Sequence, residues 1–197
     1  MEHYYSQNPT SSHELIKISY NLNNKSLVFI TDTSVFSRHH VDFGSHILIS
    51  TLPPLEGNIL DLGCGYGAIG ISIAYLNRNS NVAMSDINER AVKLAHGNIV
   101  LNNIPNAVAF QSNGFQDIKD TTYSTIVSNP PIRAGKKVIY PMFEQSIDYL
   151  IPGGCLYIVI QKKQGASSAV EKLKSIYGNC KVINKEKGYW ILKSIKV

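Results

Sequence analysis

The period of the apolar positions changes several times along this chain, and each change marks an element. Leu15-Ile16-Lys17-Ile18-Ser19-Tyr20 alternates loosely, and Leu27-Val28-Phe29-Ile30-Thr31 is apolar and β-branched. The turn-rich residues 21–26 between them predict a β-hairpin. Residues 37–45 are mostly polar, and a short helix is expected over 46–52, stopped by Pro53-Pro54. From Asn58 onward, strands and helices alternate. Ile59, Leu60 and Leu62 supply a buried strand, and Ala68, Ile69 and Ile73 begin a helical period that runs to Leu76. Residues 81–86 read as the next strand. Residues 88–102 read as a helix, with Ala91, Leu94, Ala95, Ile99 and Leu101 near one face and Asn88 at its N-cap. Two more strands follow, at 107–111 and 123–128.

Ile139, Phe143, Ile147 and Leu150 then mark an amphipathic helix, with Pro141 in its first turn or at a kink. Pro152-Gly153-Gly154 is expected to close that helix. Residues 156–160 are wholly apolar, as in a strand covered on both faces. A helix over 167–177, opening on Ser167 or Ser168, precedes a closing hairpin of strands 181–184 and 189–195. This order predicts an α/β, Rossmann-like, mostly parallel sheet with helices on both faces. The closing hairpin should add an antiparallel strand, and the first hairpin forms an N-terminal extension. No internal repeat or long linker divides the chain, so one domain is expected over 1–197, made of a hairpin and lead-in segment (1–45) and a core (46–197).

Composition narrows the class. An apolar share of 44% over 197 residues suits a folded domain with a sizeable core. No apolar run approaches a membrane span, and Met1-Glu2-His3-Tyr4-Tyr5-Ser6 lacks the pattern of a secretory signal, so no membrane association is expected. Cys64, Cys155 and Cys180 are odd in number and have no ligand spacing, which suits free thiols in the cytoplasm. The six histidines show no convergent spacing, so no metal is expected. The net charge of +5 is unevenly spread. Residues 1–130 carry 7 Lys/Arg and 10 Asp/Glu, whereas residues 131–197 carry 12 and 4. A basic final third suits a polyanionic partner such as RNA, and equally a lysine-rich soluble surface.

Chemistry enters with Asp61-Leu62-Gly63-Cys64-Gly65-Tyr66-Gly67. Gly63, Gly65 and Gly67, between a strand and a helix, permit a sharp turn and close approach of backbone to a ligand. The helix start favours electron-rich ligand groups. Asp61 is expected to face the ligand cleft and attract an ammonium group, which favours a ligand with an amino-acid end such as S-adenosylmethionine. Asp86, followed by Ile87 at the end of the second core strand, offers two acceptors to two ribose hydroxyls. Asn113 and Gly114, after the third strand, can meet an adenine amino group and its ring. Asn129 and Pro130, in Ser128-Asn129-Pro130-Pro131, offer a side-chain and a backbone carbonyl. Together these can hold the two hydrogens of an –NH2 group and aim its lone pair.

With Asp86 and Asn129-Pro130-Pro131, the glycine loop resembles the class I S-adenosylmethionine-dependent methyltransferases that act on amino nitrogens. More closely, the chain resembles the small-domain family of 16S ribosomal RNA guanine-N2 methyltransferases, in a single-domain branch. Phe36-Ser37-Arg38, Val41-Asp42-Phe43-Gly44-Ser45 and Asn129-Pro130-Pro131-Ile132-Arg133-Ala134-Gly135-Lys136 carry this resemblance, with Gln161-Lys162-Lys163-Gln164-Gly165 and Gly188-Tyr189.

The resemblance implies a seven-stranded sheet. It also implies N-methylation, with guanine N2 of ribosomal RNA as acceptor, Gly63, Gly65 and Asp86 holding the cofactor, Asp61 near its methionine end, and Asn129 at the amine. Pro131, Ile132, Arg133 and Lys136 would meet the substrate. Three positions depart from the family pattern: Ile132 stands where an aromatic is usual, and Asn113 and Ser124 each stand where an Asp is usual. The longer ribosomal RNA enzymes carry a second, duplicated domain, so a monomer or homodimer of this chain would dock RNA through its own surface. A glutamine-amide methyltransferase and a non-catalytic RNA-binding factor are the competing readings.

Overall fold

The computed structural model describes residues 12–119 and 122–197; the Tyr4-Tyr5 pair and His3 lie outside them. The first hairpin pairs β1 (Ile16–Leu22) with β2 (Lys25–Thr31) and stands apart from the main sheet. It is fastened through α3 (Glu89–Leu101). Ile30 N–H donates to Asn98 Oδ1 at 2.7 Å, and Asn98 Nδ2 returns a bond to Ile30 O at 3.0 Å. One turn on, Asn102 repeats the exchange with Val28, at 2.9 and 2.6 Å. Two buried amides thereby satisfy the edge of β2, whose N–H and C=O groups would otherwise lack partners.

The main sheet contains β3 (Asn58–Leu62), β4 (Asn81–Asp86), β5 (Ala107–Gln111), β6 (Tyr123–Ser128), β7 (Leu150–Gln161), β8 (Lys181–Glu186) and β9 (Tyr189–Ile195). Their order is β5-β4-β3-β6-β7-β9-β8, parallel except where β9 runs against both neighbours. Alternate side chains serve two cores, as the strand period of two requires. Ile59, Met84, Val127, Tyr157 and Val159 face one layer with α1 (Phe43–Thr51), α2 (Ala68–Leu76) and α3. Leu60, Leu62, Ile126, Leu156 and Ile158 face the other, with α4 (Lys136–Tyr149) and α5 (Ala166–Tyr177). The continuously apolar run in β7 is therefore buried on both sides.

Three local expectations are corrected. Helix α1 begins at Phe43 rather than His46, because Asp42 caps it: its Oδ1 accepts from Gly44 and Ser45 N–H at 2.9 and 3.2 Å. Pro152-Gly153-Gly154 does not close α4, which ends at Tyr149; these residues lie inside β7. There Gly153 N–H donates to Lys196 O at 2.7 Å and Lys196 N–H to Gly154 O at 2.9 Å, so pairing with the chain's end outweighs turn propensity. Helix α5 is capped by Gly165 in the left-handed conformation (φ 98°), not by a serine. Pro141 sits within α4, near its start.

Strand order reverses between β3 and β6, and this is where open parallel sheets bind ligands, at the carboxyl ends of the strands. Ser128 Oγ donates to Leu62 O at 2.7 Å and ties those two strand ends together.

Candidate active site

A cavity of about 490 Å³ opens at that reversal. Its floor is the glycine loop. Gly63 and Cys64 N–H groups both donate to Ser85 O, at 2.8 and 2.9 Å, which pins the loop over β4. Gly63, Gly65 and Gly114 all line the cavity with positive φ (77°, 57° and 58°), and a Cβ added at any of them would meet no protein atom within 4 Å. The backbone is thus left open where a ligand can lie against it. Gly67 differs from them, since it caps α2 at φ 92° and lies outside the cavity wall.

Asp86 joins two walls. Its Oδ2 accepts from Gly65 N–H at 2.8 Å and its Oδ1 from Asn88 N–H at 2.9 Å. Burial raises its pKa, and these backbone donors partly offset the shift. Each oxygen keeps a further lone pair for a ligand hydroxyl. Ile87, Asn113 and Gly114 complete this end of the cavity.

Asp61 does not face the cavity. It is fully buried beneath the loop, where Oδ2 accepts from Gly70 N–H at 2.8 Å and Oδ1 has no hydrogen-bond partner among the described residues. Burial, with a smaller contribution from the Asp86 charge, pushes its pKa up to about 7. The alternation of β3 accounts for this placement: Leu62 and Gly63 reach the cavity wall, and the residue before them does not. Burial also pushes the Cys64 thiol pKa well up, so Cys64 remains a neutral small filler in the wall.

The cavity wall also carries Asn129, Pro130 and Pro131. The Asn129 side-chain amide is clamped: Nδ2 donates to Asp42 Oδ1 and Oδ2, at 3.3 Å each, and to Ser45 Oγ at 3.1 Å. With its N–H groups held by the start of α1, the amide leaves its oxygen as the free pole. Pro130 O already accepts from Ile132 N–H at 2.8 Å, which leaves it one lone pair.

The other substrate-side candidates separate. Ile132, Arg133 and Lys136 lie outside the cavity wall, in and after a single 3-10 turn over Ile132–Ala134. Lys137, Val138, Pro141, Met142 and Gln145 of α4 take that place. Lys137 is readable from the sequence as a candidate phosphate contact beside Arg133 and Lys136; the other four were missed, although they form a helical stripe beside the core positions Ile139 and Phe143. Sequence reasoning passed over Val35, and it gave Phe36, Asp42 and Ser45 no site role beyond the family resemblance, although all four line the cavity. Ser124 lies at the far end of β6, bonded to Glu56 O and Asn58 O, and has no bearing on the site. Among the described residues, no three His, Cys, Asp or Glu side chains group as metal ligands, and no helix is long and apolar enough to cross a membrane.

Reversed strand order, an open glycine cradle against an acid-tipped β4, and a polar turn at the end of β6 define the class: an S-adenosylmethionine-dependent methyltransferase. The chain belongs to the methyltransferase small domain family, whose model matches residues 26–193. It is 47% identical over 199 residues to the uncharacterized protein YbxB of Bacillus subtilis, covering 100% of this chain and 99% of that one. It is 32% identical over 169 residues to ribosomal RNA small subunit methyltransferase C of Vibrio cholerae, covering 82% of this chain. The chain spans 47% of that relative's length. Among solved structures, the T. thermophilus 16S rRNA N2 guanine methyltransferase RsmC, in complex with AdoMet and guanosine, aligns with a TM-score of 0.83 at 22% identity. The alignment covers 96% of this chain and 52% of that one.

Proposed function

We propose that this protein methylates the exocyclic N2 amine of a guanine in ribosomal RNA, in the cytoplasm, using S-adenosylmethionine. The observation that carries the reading is the clamped Asn129 amide in the same cavity as the open glycine cradle. The cradle fits the cofactor: Gly63, Gly65 and Gly114 leave space for it, Asp86 would accept from its ribose hydroxyls, and Asn113, in the same wall, would meet its adenine amino group. When bound, the cofactor supplies a methyl group already activated by its sulfonium.

This chain's residues then orient the amine and stabilise its charge. Asn129 Oδ1 and the remaining lone pair of Pro130 O accept from the two amine hydrogens, which turns the nitrogen lone pair toward the methyl carbon and limits its delocalisation into the base. The same acceptors stabilise the positive charge that grows on nitrogen as the N–C bond forms and the S–C bond breaks. The methylated ammonium loses its proton to solvent, so no strong base is required beforehand. Asp61, out of contact with the cavity, supports the loop from behind by holding Gly70 N–H. The ribosomal RNA relatives at 32% identity support the choice of RNA over a glutamine amide.

The test is incubation of the protein with methyl-labelled cofactor and ribosomal particles or total cell extract. Label should enter RNA as N2-methylguanine. Asn129→Ala should abolish transfer while cofactor affinity stays within about threefold. Label in protein would move the acceptor to a glutamine amide, and cofactor binding without any transfer would leave a non-catalytic factor.

A further inference from the structure

We propose that a rim of cations around the cavity mouth docks the phosphodiester backbone of the RNA whose base enters the site; this rests on the RNA-methylation reading above. The fold gathers the rim from three separate stretches. Strand β8 runs against β9 and β9 against β7, so β8 ends on the same edge of the sheet as β6 and β7. The turn after β6 supplies Arg133 and the start of α4 Lys136 and Lys137, the turn after β7 supplies Lys162 and Lys163, and the end of β8 and the β8–β9 turn supply Lys185 and Lys187. Lys162 N–H donates to Gly188 O at 2.7 Å and joins the last two turns directly. Lys137 lines the cavity, and Lys187 Nζ sits 4.6 Å over the ring of Phe43, next to the Asp42 that clamps Asn129.

Three properties suit these cations to that role. All seven are exposed, and among the described residues none forms an ion pair with an acid. Elsewhere Lys93, Lys172 and Lys174 are paired with Glu89, Glu144 and Glu171. Glu186 is the single acid in residues 129–137, 161–165 and 184–190. In addition, Lys136, Lys185 and Lys187 rest on the rings of Tyr140, Trp190 and Phe43, at 5.7, 4.4 and 4.6 Å. Seating on a ring restricts the stem before a ligand arrives and leaves the ammonium facing solvent. A chain of evenly spaced phosphates crossing the mouth suits charges arrayed on three stretches, and RNA contacts of this kind position the strand without reading its sequence.

The experiment compares Lys163→Glu/Lys187→Glu with a control of equal charge change, Lys119→Glu/Lys181→Glu, at the opposite end of the sheet. Ribosomal RNA binding is measured across salt concentration, together with KM and kcat for methyl transfer and calorimetric cofactor affinity. The rim variant should raise KM for RNA at least about tenfold, with kcat and cofactor affinity within about twofold. Its log K against log salt slope should flatten by about 1.5, from two lost phosphate contacts. Lys163→Gln/Lys187→Gln should show a smaller change in the same direction, and the control none. RNA binding that falls equally in rim and control variants, or in neither, overturns the proposal. Labelled RNA with rim-independent binding refutes the rim alone. Rim-dependent binding by a wild-type protein that never labels RNA supports the rim and refutes the methylation reading.

Discussion

Asp42 has two roles that a single substitution can separate. Its Oδ1 caps α1 through Gly44 and Ser45 N–H, and both its oxygens accept from Asn129 Nδ2. Asparagine caps a helix about as well as aspartate, so Asp42→Asn keeps the cap and loses at most about 1 kcal/mol of charge–dipole stabilisation. That corresponds to a fall of about 4 °C or less in Tm for a chain of this size. The clamp on Asn129 weakens, because one of its three acceptors becomes an –NH2 group facing the –NH2 of Asn129. A hydrogen bond to a charged group is worth about 1.5–3 kcal/mol. Losing that bias lets the Asn129 amide turn and present its donor to the cavity. At about 1.4 kcal/mol per factor of ten, single-turnover methyl transfer should slow by about 10- to 100-fold while cofactor affinity stays within about threefold. Asp42→Ala should slow transfer similarly and, having lost the cap as well, cost about 2–3 kcal/mol of stability by chemical denaturation. A folded Asp42→Asn protein that transfers methyl groups within about twofold of the wild-type rate would refute the orienting role.

Two further outcomes test the floor of the site. Asp61 has a folded pKa of about 7 against an ordinary 3.8, so between those values the folded state holds a proton that the unfolded chain has shed. Its contribution is therefore fully present below about pH 4 and is lost as pH rises to about 7, by up to about 1.4 kcal/mol per pH unit and about 4 kcal/mol in all. Stability of Asp61→Asn relative to wild type, from denaturant titrations at about pH 4.5, 6 and 8, should rise with pH and then level; a flat difference would mean that Asp61 is ionised in the fold. Gly65→Ala places a Cβ in open cavity space at φ 57°, so it should cost about 1 kcal/mol of stability yet weaken cofactor binding at least about tenfold in calorimetry; unchanged affinity would remove the loop from the cofactor site.

The strands at 81–86, 107–111 and 123–128 were legible to the residue because β-branched, apolar stretches are bounded there by turns and helix caps. The path of Pro152-Gly153-Gly154 was not, since its partner Lys196 is supplied from the end of the chain. The hairpin's seat was hidden for a related reason: Asn98 and Asn102 look like surface positions until β2 is laid beside α3. In the site, Gly63, Gly65, Gly114, Asp86 and Asn129 carried local signatures, and the structure brings them to one cavity, whereas Gly67 caps α2 outside it. Asp61 and the residues 132, 133 and 136 did not follow their sequence neighbours, because a step of one residue along β3, or a turn after β6, changes which way a side chain faces.

The sequence by itself determined the element types, the alternation that yields a parallel sheet with a hairpin at its end, and the residue types of a methyl-transfer site, because each depends on local period and turn chemistry. Tertiary structure decided how those residues are used. Only folding places Asp42 and Ser45 against Asn129, more than 80 positions away, so that the amide has one free pole. Only strand order brings the lysines after β6, β7 and β8 to one rim. Both depend on contacts between distant segments, which no local pattern of hydrophobic and polar residues encodes.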